Sequence, residues 1–291
     1  MTSPQTLTAV RRRLQEAGDP EDAVFLQRFF KTGPGQYGEG DHFLGIRVPM
    51  TRTLAREFAD LPLSDIEALL HDKWHEARLL ALVLLTNRYA RANAAEKSQV
   101  YRTYLANTDR INNWDLVDLS APGIVGAHLE TRPRRPLDTL AKSKSLWERR
   151  IAIVATYHFI RRKEFDDTLR ISTTLLGDSH DLIHKAVGWM LREVGKRDEG
   201  VLERFLDEHA HEMPRTALRY SIERMSPATT LPMIVWLPRI SSIRMPRTRT
   251  PSKRPLAVAI SGVSISGTAE VTPGVFFAWS AICCQSDSRP S

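Results

Sequence analysis

Cysteine is nearly absent from this chain. Among its 291 residues there are two, Cys283 and Cys284, which are adjacent and lie near the C-terminus. Adjacent cysteines have no metal-site spacing and cannot build a disulfide framework. We therefore expect a protein of a reducing compartment, the cytoplasm, whose fold does not depend on disulfides.

Long hydrophobic runs are also missing. No apolar stretch approaches the roughly 18 residues that a membrane-spanning helix needs. The first residues, MTSPQTLTAVRRRLQEAG, contain no apolar core followed by a small-residue cleavage site. We interpret this segment as the start of a first helix rather than a signal peptide, and we expect no association with membranes.

Alternation of apolar and polar residues, the pattern of a half-buried β-strand, does not extend over a useful length in residues 1–224. What recurs instead are long apolar stretches flanked by charge, such as WHEARLLALVLLTNRYARA and DLIHKAVGWMLREVGKRD. The stretch SDIEALL predicts a further helix, capped by Ser64. This part of the chain is predicted to be almost entirely helical.

A weak internal period runs through these helices. Arg78 and Arg150 occupy matching positions in HEARLLALV and WERRIAIVA, 72 residues apart, and half of that distance leads from Arg78 to Trp114. A period of about 36 residues with two helices in each step is typical of an α-solenoid. We predict an all-α solenoid over residues 1–224, with an irregular helical domain as the alternative.

Residues 225–291 differ from the rest in composition. They are rich in serine, and eight of the 17 prolines lie beyond residue 225. The formal net charge of the chain is +7, yet residues 225–291 hold seven Lys and Arg against two Asp and Glu. We predict a poorly ordered tail, and a body that is close to neutral, so a nucleic-acid face on the body must come from the arrangement of its charges.

The stretch KTGPGQYGEGD contains Gly33, Gly35 and Gly38 at the spacing of a dinucleotide-binding turn. That turn needs a strand before it and a helix directly after it. Here the preceding PEDAVFLQRFF has the pattern of a helix, and Glu39 stands where a phosphate-binding loop has lysine. We predict no nucleotide cofactor and a tight turn between helices, with a surface contact to a partner as the alternative.

The stretch HDLIH resembles a helical two-histidine zinc motif. His180 and His184 have the required spacing, and Asp181 takes the place of the usual glutamate. A third ligand is not evident in the sequence. We therefore predict no metal, with Asp181 at the beginning of a helix.

Three stretches, INNWDLVDLS, WERRIAI and AVGWMLRE, carry candidate site residues. Trp114 and Asp118 are four residues apart and share one face of a helix, while Asp115 points elsewhere. By the period, Trp114, Arg150 and Trp189 fall at similar places on successive repeats. Two indoles, a carboxylate and a guanidinium are thus predicted to line one inner surface.

With these stretches, residues 21–224 resemble the AlkD-like DNA alkylation repair glycosylases, which are built of HEAT-like repeats. The resemblance rests on FFKTGPGQYGEGDHFLGIRVP, WDLVD, WERR and GWMLRE. It implies an enzyme of base excision repair that removes N3- or N7-alkylated purines from duplex DNA. It also implies a concave basic face without a deep pocket for a flipped base.

The resemblance also implies roles for single residues. The family's catalytic aspartate and its companion tryptophan fall on Asp118 and Trp114, its site arginine on Arg150, and its second tryptophan on Trp189. An aromatic residue of the N-terminal helices falls on Phe29 or on its neighbour Phe30. Further residues are expected to bind DNA or to add to its positive field: Arg149, Lys185, Arg192, Lys196, Arg161, Arg162 and Arg215.

The chemistry of an alkylated purine agrees with this set. The base is already cationic, so it leaves without a general acid, and one carboxylate can stabilise the oxocarbenium-like sugar and position water. The indole faces of Trp114 and Trp189 would attract the cation. Arg150 suits a bidentate contact to a backbone phosphate. No cofactor is needed, and we expect a monomer.

The alternative is a non-catalytic helical-repeat scaffold that binds protein or nucleic acid, since a fold does not fix a function. A repeat protein that recognises RNA is a weaker alternative, because the base-reading pattern in each repeat is absent. A scaffold has no need to assemble the set Trp114, Asp118, Arg150 and Trp189.

Overall fold

In the computed structural model, residues 5–225 are described, and they form helices joined by short connections. No β-strand occurs within this range, where one isolated bridge joins His42 and Trp74. The all-α prediction is therefore confirmed. The predicted tail of residues 225–291, with Cys283 and Cys284, lies outside the described residues apart from residue 225.

The helices follow one another in chain order. They are α1 (Leu7–Ala17), α2 (Pro20–Phe29), α3 (Val48–Glu57), α4 (Leu63–Leu70), α5 (His75–Arg91), α6 (Ala94–Ala106), α7 (Trp114–Ala121), α8 (Arg135–Ala141), α9 (Leu146–Ala155), α10 (Tyr157–Ile160), α11 (Asp166–Leu175), α12 (Asp181–Gly195), α13 (Glu199–His209) and α14 (Arg215–Ser221). A 3₁₀ turn precedes α7, and a π-helical turn (Pro122–Gly126) extends it. None of the described helices is long and apolar enough to cross a membrane.

Local sequence determines where many of these helices begin. The Asp19 side chain accepts hydrogen bonds from the backbone N–H groups of Glu21 and Asp22 at the start of α2. The predicted Ser64 cap is wrong. Helix α4 begins at Leu63, directly after Pro62, so Ser64 lies within the first turn and caps nothing. Proline has a fixed φ near the helical value, which favours the earlier start.

The helices form two rows. Helices α5, α7, α9 and α12, here called the first row, pack each against the next. Helices α4, α8, α11 and α13, here called the second row, pack behind them. The first row begins at residues 75, 114, 146 and 181, in agreement with the period of about 36 residues. Each of its helices also supplies a buried aliphatic side chain to the core: Leu80, Leu116, Ile151 and Met190.

Two glycines allow neighbouring helices of this stack to approach closely. A Cβ atom on Gly188 of α12 would lie 2.4 Å from the Ala217 carbonyl oxygen of α14. A Cβ atom on Gly126 would lie 2.3 Å from the Ala155 carbonyl oxygen of α9. The glycine before Trp189 thus permits close packing of α12 against α14.

The glycine-rich segment between α2 and α3 forms an irregular loop, residues 31–46, as predicted. Helix α2 precedes it, so the strand that a dinucleotide-binding turn requires is not there. The end of the loop is fixed to α5, because the backbone N–H groups of Leu44, Gly45 and Ile46 all donate to the Glu76 carboxylate at 2.8 to 3.1 Å. A loop of irregular backbone is thus held firmly against the first row.

Candidate active site

Asp118 and Arg150 form a bidentate ion pair between α7 and α9. Nε of Arg150 donates to Oδ1 of Asp118 at 2.9 Å, and Nη2 donates to Oδ2 at 2.8 Å. The Arg150 side chain is completely buried, and that of Asp118 is 9% exposed. The structure thus joins two of the predicted site residues, and the carboxylate is the member of the pair that reaches the surface.

Opposing effects act on the ionisation of Asp118. Burial raises the pKa of the Asp118 carboxyl, the Arg150 guanidinium opposes this, and the nearby Asp115 charge raises it further. The net pKa is above the ordinary value of an aspartate. A buried carboxylate with a raised pKa at the edge of a surface is typical of functional sites.

The predicted phosphate contact of Arg150 is wrong. Two of its nitrogens are used by Asp118, and Nη1 donates to the Leu182 carbonyl oxygen of α12 at 2.6 Å. A fully buried guanidinium with these partners cannot also form a bidentate contact with a backbone phosphate. Arg150 instead orients the Asp118 carboxylate and connects α7, α9 and α12.

Trp114 lies inside an aromatic cluster at the start of α7. Phe30 stacks on it with ring centroids 5.2 Å apart, and Phe29 meets it edge-on at 6.0 Å. Its Nε1–H donates to the hydroxyl oxygen of Tyr37 in the glycine-rich loop, at 3.3 Å. Only 2% of Trp114 is exposed. The indole of Trp114 is therefore covered by protein in this structure, and the prediction that its face contacts a cationic base is wrong.

Trp189 lies on α12, in the first row, and is 9% exposed. Its ring is 6.2 Å from that of Tyr157 in the short helix α10. The period argument placed Trp189 on the same wall as Trp114, and both helices do belong to one row. Asp118 lies on the same helix as Trp114, and Arg150 lies on α9, which packs between α7 and α12.

A second buried ionic cluster lies beside this site, and sequence reasoning missed most of it. His75 of α5 contacts two carboxylates, Asp115 through Nε2 at 2.8 Å and Asp41 through Nδ1 at 3.3 Å. Arg78 donates to Asp41 at 2.5 Å. Asp115 was predicted to point away from Asp118, yet it is a buried partner of His75 rather than a solvated charge. The only signal for this cluster was the repeat position of Arg78.

The two charges of His75 and Asp41 stabilise each other. Burial by itself would lower the pKa of His75, but the Asp115 charge and the hydrogen bonds to both carboxylates raise it to about 9. Burial likewise opposes ionisation of Asp41, but the His75 hydrogen bond and the Arg78 charge lower its pKa to about 2. His75 and Asp41 are therefore both ionised at neutral pH.

Four of the predicted DNA-binding cations, Arg149, Lys185, Arg192 and Lys196, have acidic partners. Arg149 is paired with Asp178 at 2.5 Å, Lys185 with Asp181 at 2.7 Å and Lys196 with Glu193 at 2.5 Å. Arg192 is bound by Glu223 and only 4% of its side chain is exposed, so its contribution to DNA binding stays a prediction. The partners reduce the positive field that the sequence led us to expect.

The remaining predicted residues have ordinary positions. Phe29, on α2, contacts Trp114 and stays partly exposed, as a DNA contact requires. His180 caps α12 by accepting from the Leu182 N–H, and Nε2 of His184 hydrogen-bonds with the Asp178 carbonyl at 2.5 Å. Asp181 begins the helix, as predicted. No group of three potential metal ligands occurs within residues 5–225.

Comparisons with known proteins agree with this arrangement. The family model described as DNA alkylation repair enzyme matches residues 10–225. A solved structure titled "Predicted DNA alkylation repair enzyme from Enterococcus faecalis" is similar in fold, with a TM-score of 0.58 and 19% identity over 72% of this chain and 97% of the other. No curated protein matches significantly. The match over most of the chain shows that this protein belongs to the DNA alkylation repair enzyme family.

Proposed function

We propose that this protein is a DNA glycosylase that removes cationic N3- or N7-alkylated purines from duplex DNA by hydrolysis of the N-glycosidic bond. Membership of the family supports a role in DNA repair. The observation that carries the finer proposal is the Asp118 carboxylate, held by Arg150 at the edge of the first row. A single oriented carboxylate is what the departure of a cationic base requires.

The reaction follows from the charges. An alkylated purine carries a positive charge, so the bond between its nitrogen and C1′ breaks with both electrons going to the base, which leaves neutral. The sugar becomes an oxocarbenium-like cation, which the Asp118 carboxylate stabilises. Water then adds to C1′, and its proton passes to Asp118 or to solvent. Arg150 contributes by fixing both carboxylate oxygens in one orientation.

The DNA would lie along the first row, with Phe29 and the paired cations Arg149, Lys185 and Lys196 near its backbone. Phosphates would compete with the acidic partners of these cations, so binding should be weaker than the number of cations suggests and steeply dependent on salt. The cytoplasmic location and the monomeric state remain predictions.

The decisive experiment compares Asp118→Asn with the parent protein on alkylated duplex DNA. Asparagine keeps the size of the side chain and removes the charge. We expect the release of free alkylpurine to fall by on the order of 100-fold, while affinity for undamaged DNA stays unchanged or rises slightly. The measurement is single-turnover base release, corrected for spontaneous loss.

The matched control is Asp167→Asn, which breaks another Arg–Asp pair, with Arg134 in the second row. Its rate should equal that of the parent. Asp115→Asn is not a suitable control, because Asp115 is a buried partner of His75. If the parent binds DNA but releases no alkylpurine, the scaffold alternative holds instead.

The pH dependence gives an independent test. Protonation of Asp118 removes its negative charge, so base release should decline as the pH falls through the raised pKa of this carboxyl. The midpoint should lie above the ordinary aspartate value of about 3.9. A rate that stays constant down to that value would contradict the role of Asp118.

A further inference from the structure

The aromatic surface beside Asp118 does not belong to Trp114. Phe30 and Phe29 contact that indole, and only 2% of it is exposed. Tyr37, the acceptor of its Nε1–H, and Trp147, at the start of α9, are both half-buried, so part of each ring reaches the surface. These two rings meet edge to face, with centroids 6.2 Å apart and an interplanar angle of 74°.

We propose that Tyr37 and Trp147 form the aromatic contact that receives the cationic alkylated base, with Trp114 supporting Tyr37 from behind. This inference rests on the proposed function, since it concerns the same substrate. It assigns lesion recognition to the glycine-rich loop and to the first turn of α9.

The loop is built to hold Tyr37 in place. One residue after it, Gly38 passes so close to the chain that a Cβ atom there would lie 2.5 Å from the Phe30 carbonyl oxygen. The Gly38 N–H donates to the Lys31 carbonyl at 3.2 Å, which closes the loop behind Tyr37. Asp41 then anchors the loop to His75 and Arg78. An immobilised ring loses little conformational entropy when it binds a ligand.

The rings are also available to a cation. Within residues 5–225 no charged side chain is recorded over Tyr37 or Trp147, whereas Arg47 lies over Phe25 and Lys73 over Trp74. Tyr37 also lies within range of charged residues of the site. Burial raises its pKa, and the charges of Asp115 and Arg150 act on the same pKa. The hydroxyl of Tyr37 thus stays protonated, and the ring stays neutral and attractive to a positive charge.

The test measures recognition without catalysis. The probe is a duplex with one 2′-fluorinated N7-methyl-2′-deoxyguanosine, which is cationic but resists cleavage because fluorine destabilises the oxocarbenium-like state. The reference is the same duplex with guanine. We expect Tyr37→Leu and Trp147→Leu each to reduce the preference for the cationic duplex by about 3- to 30-fold, the range of one cation–π contact. Affinity for the guanine duplex should not change.

Conservative and distant substitutions separate recognition from folding. Tyr37→Phe keeps the ring and should retain the preference within about twofold. Phe165→Leu, a half-buried aromatic residue just before α11 in the second row, should behave as the parent. Trp147→Leu tests recognition without a substitution in the loop, because Trp147 lies on α9.

Two results would overturn the inference. Unchanged preference in both leucine variants would show that neither ring meets the base. An equal loss in Tyr37→Phe and Tyr37→Leu would show that the hydroxyl bound to Trp114 matters rather than the ring. If the parent prefers the cationic duplex and the leucine variants lose this preference, but no protein releases base, the recognition site stands and the glycosylase proposal fails.

Discussion

Arg78 and Arg150 lie 72 residues apart at equivalent positions of two repeats, and each binds a buried aspartate. Their partners differ in origin. Asp118 lies on the neighbouring helix of the first row, whereas Asp41 comes from the glycine-rich loop. One repeat therefore uses its arginine to hold a helix side chain, and the other uses it to fasten a loop.

The two aspartates also differ in their other donors. Asp41 accepts from Arg78, from His75 and, at 3.3 Å, from Asn113. Asp118 has the Arg150 guanidinium as its donor. The pKa of Asp41 is accordingly lowered to about 2, while that of Asp118 is raised. The same kind of ion pair thus anchors a loop in one repeat, and in the other it holds the carboxylate for which we propose a catalytic role.

The strongest test of this contrast is Asp41→Asn. It removes the charge that neutralises Arg78, which leaves a buried cation uncompensated, while His75 keeps Asp115 as its partner. We expect a loss of about 3–5 kcal/mol in the free energy of unfolding. Urea denaturation followed by circular dichroism measures it, and a loss below about 1 kcal/mol would contradict the structural role of Asp41.

The second test uses pH. The pKa of His75 is raised to about 9 from 6.5, so its charged form stabilises the fold fully below pH 6.5, and this contribution is lost as the pH rises through 9. The free energy of unfolding should fall by on the order of 3 kcal/mol across this window. The slope should vanish in His75→Gln. A slope that persists in this variant would assign the effect to other groups.

The third test removes the close approach at the loop. Gly38→Ala places a Cβ against the Phe30 carbonyl and should cost about 1–3 kcal/mol of stability by overpacking. Gly33→Ala is the matched control, since its Cβ would meet only the flexible Gln36 side chain, at 3.1 Å. Thermal denaturation of both variants measures this difference in stability. Equal melting temperatures would show that the loop can shift to accept the extra Cβ atom.

The smallest expected effect is that of Asp118→Asn on stability. A carboxyl with a raised pKa favours its neutral form in the fold, and the asparagine oxygen can still accept from Arg150. The free energy of unfolding should change by less than about 1 kcal/mol, although base release falls by on the order of 100-fold. A loss as large as that of Asp41→Asn would make Asp118 a structural residue.

Much of the fold followed from the sequence alone. Apolar stretches of helical length and a period of about 36 residues predicted the helices and their stacking, because backbone hydrogen bonds and side-chain periodicity act within a few residues. The stretches around Trp114, Asp118, Arg150 and Trp189 likewise placed these residues on first-row helices. Their catalytic roles remain predictions.

Only the tertiary structure decided which charges and rings meet. Asp41 and Asn113 are distant in the chain, and nothing local indicates that they meet, or that Asp41 also binds His75 and Arg78. Arg150 is buried and donates to Asp118, whereas the sequence predicted a phosphate contact. Packing of the loop also brings the Tyr37 hydroxyl to the Nε1–H of Trp114. The pairing of buried groups depends on which surfaces pack together, and that is a property of the whole stack rather than of any short segment.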